Sequence, residues 1–129
     1  MADNSVLKKL YLRPGYRAII LNAPDAYQTV IADIPATVAL ADKLEGEFDF
    51  IQVFVVQRAD LEAAAPSLAA ALKPGGLLWV TYPKAKALGT DLNRDKVRTS
   101  LQPAGLRPVA QVAIDETWSA LRFKHERDE

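Results

Sequence analysis

The chain contains no cysteine, a single histidine and no surplus of charge, because sixteen Lys and Arg balance sixteen Asp and Glu. Without cysteine there is no thiolate nucleophile and no zinc site built on sulfur, while the redox compartment stays undecided. The one histidine, His125, argues against a serine triad or a two-histidine metal site, so no metal is expected. A net charge of zero gives no field to draw in nucleic acid or an anionic membrane, and no long basic run supplies one locally. Neither is an expected partner. No apolar stretch approaches the roughly 20 residues needed to span a bilayer, and Met1 to Lys9 lack the apolar centre of a secretory signal. A cytoplasmic protein is the expectation. Repeats, low-complexity tracts and linkers are also missing, which points to one domain over residues 1–129.

Half of the 129 residues are apolar. At that length one core buries roughly two-thirds of the unfolded chain's surface and needs no disulfide or metal to close it. Asn4 or Ser5 caps a short helix whose Val6, Leu7, Leu10 and Tyr11 form one stripe, and Pro14-Gly15 then turns the chain. Arg17 to Asn22 reads as a strand, because Ala18-Ile19-Ile20-Leu21 is apolar throughout, as in sheets covered on both faces. A helix starting at Pro24-Asp25 carries Tyr27, Val30 and Ile31 and ends before Pro35; Thr37 to Leu40 is a short second strand. Phe48 to Val56, rich in aromatic and β-branched residues, predicts the middle of the sheet.

Asp60 to Leu72 is helical, and Pro66 predicts either a kink or a second short helix beginning there. Lys73-Pro74-Gly75-Gly76 turns into a fourth strand, Leu77 to Tyr82. Thr90 or Asp91 caps a helix through Val97 and Leu101. Val109 to Ile114 and Ser119 to Lys124 are joined by too short a link for a helical crossover, so they pair antiparallel. The fold class is α/β, a doubly wound Rossmann-like sheet, mostly parallel, with a C-terminal antiparallel hairpin.

Leu12 to Leu21, through Arg13-Pro14-Gly15-Tyr16-Arg17, resembles the approach to the first strand of class I S-adenosylmethionine-dependent methyltransferases. Leu72-Lys73-Pro74-Gly75-Gly76-Leu77-Leu78-Trp79-Val80 resembles their turn into the fifth strand, and the closing hairpin after Gly105-Leu106-Arg107-Pro108-Val109 their antiparallel end. Gly46-Glu47-Phe48-Asp49-Phe50, Leu78 to Lys84 and Trp118 to Phe123 also resemble an uncharacterised bacterial domain family of about this length, to which no activity attaches. The methyltransferase resemblance implies a methyltransferase-like sheet. It also implies an acidic residue and a glycine-rich loop after the first strand, where glycine lets the backbone approach the cofactor. Here that loop reads Leu21-Asn22-Ala23-Pro24-Asp25-Ala26-Tyr27, with no glycine, and Pro24 removes a backbone donor. Asp42 stands where the family's ribose-binding acid would be.

On this reading no cofactor is expected, S-adenosylmethionine being possible but disfavoured. The expected role is a non-catalytic binding or regulatory module for a small anionic ligand or a protein partner. The alternative is an S-adenosylmethionine-dependent transferase with a glycine-free loop. A ligand crevice is expected outside the carboxyl ends of the strands, between those ending at Asn22 and Val56. Asn22 would orient a ligand amide or carbonyl, or else cap the following turn; Arg58 would meet an anion, or else face water. Lys84, Lys86 and Arg94 gather around the helix opened by Thr90-Asp91 and suit a phosphate or carboxylate, with Asp91 the complication as a competing cap. Asp115 and Glu116, neighbours at a strand end, read as a polar hairpin tip rather than a metal or base site. Trp79 belongs to the core, and Trp118 is either a lid over the adjacent edge or a site aromatic, with core favoured.

Overall fold

A computed structural model describes residues 5–85 and 87–128. Along the chain run α1 (Ser5–Lys9), β1 (Arg17–Leu21), α2 (Gln28–Ala32), β2 (Ala39–Ala41), β3 (Phe48–Phe54), α3 (Arg58–Ala71), β4 (Leu72–Pro83), α4 (Arg94–Leu101), β5 (Leu106–Ala113) and β6 (Trp118–His125). The six strands form one sheet in the order β2-β1-β3-β4-β6-β5. Strands β2, β1, β3 and β4 are parallel, and β6 pairs antiparallel with both β4 and β5. This is the doubly wound, Rossmann-like sheet with a closing hairpin. No helix of the described residues is long and apolar enough to cross a membrane.

Side chains alternate across a strand, so a strand covered on both faces must be largely apolar, with any buried polar group bonded within the fold. Strand β3 meets that demand: Ile51 and Val53 enter the core beneath α3 and α4, while Phe50 and Phe54 enter a second core on the opposite face. Leu61, Ala65, Leu68 and Ala71, spaced by three or four, supply the buried stripe of α3. Full burial of a leucine such as Leu61 or Leu68 contributes roughly 1.5–3 kcal/mol. On the other face Val6, Val30 and Ile31 pack against the core that includes Trp79, whose indole N–H donates to the Leu10 carbonyl at 2.9 Å and ties the end of α1 to the sheet.

The structure corrects several sequence expectations. The helix does not restart at Pro66; α3 runs through it. Pro66 lies on the exposed side, as does Glu62 one turn earlier, so water can satisfy the carbonyl that proline leaves without a donor. Strand β4 begins at Leu72 rather than Leu77, because Leu72 already pairs with Phe48 and Lys73 to Gly76 bulge out before Leu77 pairs with Phe50. Strand β2 is the three residues Ala39–Ala41. Neither Thr90 nor Asp91 caps α4: Asn93 does, accepting from the Lys96 amide at 2.9 Å. Thr90 donates instead to the Val56 carbonyl and accepts from Leu92, while Asp91 accepts from the Arg58 amide at 2.7 Å, at the start of α3. The candidate cap Asn4 lies outside the described residues, as does Lys86.

Candidate functional site

From β1 the chain passes outward to β2 and then returns to β3 on the other side of β1, so the strand order reverses between β1 and β3. In an open parallel sheet, that reversal opens a crevice beyond the carboxyl ends of the strands. A cavity of 640 Å³ lies there, with Asn22, Val55, Val56, Asp60, Ala64 and Trp118 on its wall. Its size is that of an ordinary small-molecule site, roughly 300–1,000 Å³.

The loop after β1 shapes one wall. Asn22 adopts the left-handed conformation at φ 60°, which asparagine tolerates better than most residues. Pro24 stands at the cap position of the turn that follows, with no side-chain hydrogen bond capping it. A single 3₁₀ turn over Asp25–Tyr27 then folds Tyr27 beneath the loop. The Tyr27 hydroxyl donates to Gln52 Oε1 at 2.9 Å, and Gln52 Nε2 donates to Thr81 Oγ1 at 3.1 Å, so a fully buried glutamine is satisfied from both sides. Burial pushes the Tyr27 pKa up to about 12, against the lowering effect of its bond to Gln52. Tyr27, Phe54 and Trp118 stack edge to face, with centroids 4.7 and 5.1 Å apart, and Trp118 ends this row at the cavity wall.

Further along the same edge, a second cavity of 720 Å³ lies between the end of β4, the start of α4 and the closing hairpin. Lys84, Asp91 and Arg94 line it together, joined by Lys96, which was not singled out from the sequence. Two bonds form its polar floor: Gln111 Nε2 donates to the Tyr82 hydroxyl and to Ser119 Oγ, both at 3.1 Å. Burial raises the Tyr82 pKa, opposed by its bond with Ser119 and by the nearby charge of Arg94.

Three of the five residues expected to bind a ligand thus share one cavity and Asn22 lines the other. Arg58 lines neither. Its Nε pairs with Glu62 at 3.2 Å, and its Nη2 donates to Thr99 at 3.2 Å, which links α3 to α4. Asp115 accepts from the Thr117 and Trp118 amides at 2.8 Å, a self-bonded hairpin tip. Asp42, just past β2, is exposed. Asp60, Gln111 and Ser119 went unnoticed as lining residues. Strand alternation carried the signal for Ser119, which pairs with Tyr82 and so shares its face.

No family model matches the chain, and no curated protein does. Solved structures match in fold. The ribosomal protein L11 methylase from Lactobacillus delbrueckii subsp. bulgaricus superposes with a TM-score of 0.60 at 12% identity, over 95% of this chain and 76% of that one. A TehB-like S-adenosylmethionine-dependent methyltransferase from Corynebacterium glutamicum gives 0.57 at 10% identity, over 93% and 85%. LepI in complex with S-adenosylmethionine gives 0.55 at 15% identity, over 92% of this chain and 38% of its own. A LepI variant holding S-adenosylhomocysteine and a substrate analogue gives 0.56 at 16%, over 93% and 39%. The sheet is therefore methyltransferase-like.

These comparisons overturn the expectation of no cofactor. LepI is solved with S-adenosylmethionine and with S-adenosylhomocysteine, and part of its chain shares this fold. The argument from missing glycine also fails on local grounds, because Asn22 already provides a left-handed residue at the loop entrance and a cavity opens beside it.

Proposed function

We propose that the crevice between β1 and β3 binds an adenosyl compound of the S-adenosylmethionine class. The observation that carries this reading is the 640 Å³ cavity at the strand-order reversal, with Asn22, Asp60 and Trp118 on its wall. Its polar and aromatic lining suits that compound. The Asp60 carboxylate and the Trp118 ring favour a cationic sulfonium or ammonium group, the first by charge and the second through its ring face. The Asn22 amide offers both a donor and an acceptor to an amino-acid carboxylate or a purine edge. The valines at the end of β3 give the adenosyl group apolar walls. When bound, such a compound supplies an electrophilic methyl group on sulfur. The part played by this chain is to hold and orient it.

A second reading, a domain that binds the compound without transferring from it, is favoured by one observation. The described acids and bases on the crevice wall are limited to Asp60, an exposed carboxylate with no second acid or base beside it on that wall.

Calorimetric titration of the whole chain with S-adenosylmethionine and S-adenosylhomocysteine tests the proposal. The expected outcome is a dissociation constant in the low micromolar range, about −8 kcal/mol, weakened tenfold or more by Trp118→Ala and by Asp60→Asn. Absence of heat with either compound up to about 1 mM, roughly −4 kcal/mol, overturns it. If the compound binds, incubation with candidate acceptors and mass analysis separate transfer from binding alone.

A further inference from the structure

The second cavity is chemically unlike the crevice. Lys84, Arg94 and Lys96 bring three cations to its wall, and Asp91 brings one carboxylate, a surplus of two positive charges in a chain whose net charge is zero. That carboxylate is engaged with the Arg58 amide of another element. Arg94 makes no ion pair among the described residues, because the acid beside it, Asp95, lies toward Arg98 at 3.9 Å. Lys84 is anchored by donating to the Asp115 carbonyl, which fixes its ammonium at the rim while leaving further protons to give. The charge comes from side chains, since Asn93 already occupies an amide in the first turn of α4.

The floor supplies a different chemistry. The Gln111 amide nitrogen is engaged on Tyr82 and Ser119, which leaves its carbonyl oxygen as an acceptor in a residue that lines the cavity. Tyr82 accepts from Gln111 and lies beside Ser119, so the floor presents two hydroxyls next to the Gln111 amide. An acceptor beside a donor is what a ligand hydroxyl needs.

We propose that this cavity binds a small polyol phosphate monoester, its phosphate on Arg94, Lys84 and Lys96 and its hydroxyls on the Tyr82, Gln111 and Ser119 floor. A phosphate monoester carries a charge of about −1.5 to −2 at neutral pH, which matches the surplus of two, and Arg94 presents the planar fork that suits phosphate oxygens. A monocarboxylate leaves half of that charge unmatched, and inorganic phosphate leaves the floor unused. The site is separate from the adenosyl crevice and stands whether or not that one is filled.

The test is calorimetric titration of the whole chain with glucose 6-phosphate, inorganic phosphate and glucose as probes. Glucose 6-phosphate is expected to bind at least tenfold more tightly than inorganic phosphate, and glucose to give no heat. Arg94→Ala should weaken both phosphates tenfold or more. Tyr82→Phe, which keeps the ring and removes only the hydroxyl, should weaken glucose 6-phosphate while leaving inorganic phosphate unchanged. Melting curves establish that each variant is folded. No binding of either phosphate below millimolar concentration, equal affinity for the two, or binding indifferent to Arg94→Ala overturns the proposal.

Discussion

The two ends of the sheet use polar side chains for opposite purposes. At the amino end they are bonded to the protein itself. Arg17 reaches the Glu47 and Glu45 carbonyls at 2.7 Å while its guanidinium covers the Phe48 ring at 3.9 Å, and its amide donates to Asp49 at 2.8 Å. Asp49 also pairs with Lys73 at 3.0 Å, Asp128 accepts from the Gly75 amide at 2.9 Å, and the lone histidine donates to the Leu72 carbonyl at 2.7 Å. At the carboxyl end Arg94, Lys96 and Asp60 instead line cavities. A polar group already bonded within the fold has little left to offer a ligand. The difference teaches where to look for function: at the carboxyl end, where the cavity-lining Arg94 makes no ion pair among the described residues.

Arg17→Ala should break the contrast most visibly. It removes two charge-assisted bonds that pin the helix-free crossover from β2 to β3, together with the cover on Phe48. A loss of about 3 kcal/mol in urea unfolding is expected, with ligand affinity unchanged in what stays folded. Tyr27 sharpens the comparison as the carboxyl-end residue that behaves like an amino-end one. Its folded pKa of about 12 lies above the ordinary 10.0, so its contribution is complete below pH 10 and is lost as pH rises toward 12. About 2 kcal/mol should disappear by pH 12, and Tyr27→Phe should flatten that limb of the stability curve.

Asp49 gives a smaller effect at the acid end. Burial pushes its carboxyl up, but the Arg17 amide and Lys73 outweigh this, and the folded pKa falls below 3.8. Its stabilisation is therefore present above pH 3.8 and is lost as pH falls through the folded value. Asp49→Asn should cost about 1 kcal/mol at neutral pH and remove that part of the acid dependence. Arg94→Ala should move stability least, within about 0.5 kcal/mol, while weakening the proposed phosphate binding tenfold or more. A large loss of stability there would erase the distinction between the two ends.

What was legible in the sequence follows the same division. The run from Phe48 announces a central strand because double-faced burial constrains every residue in it, and the short link between the last two strands dictates an antiparallel pair. Lys84 and Arg94 could be placed near one another because both lie close to the same loop. The role of Asp91 could not be read, because its partner, the Arg58 amide, is thirty-three residues away and joins it only through the packing of two strand ends. Asp91 next to a helical pattern looks like the cap of that helix; Asn93, two residues on, takes the position. The backbone of Asn22 could not be read for a related reason: residue type shows the absence of glycine, whereas only the backbone shows that φ 60° is reached without it.

The placement of the two tryptophans has an optical consequence. Trp79 is completely enclosed, its N–H fixed on the Leu10 carbonyl, whereas Trp118 stands on the wall of the crevice between β1 and β3 at the end of an aromatic row. The protein therefore carries two fluorophores with different reports, one that changes only when the core opens and one that faces whatever enters the crevice. In a Trp79→Phe variant the remaining emission should shift on titration with an adenosyl compound, while in Trp118→Phe it should stay constant until the chain unfolds.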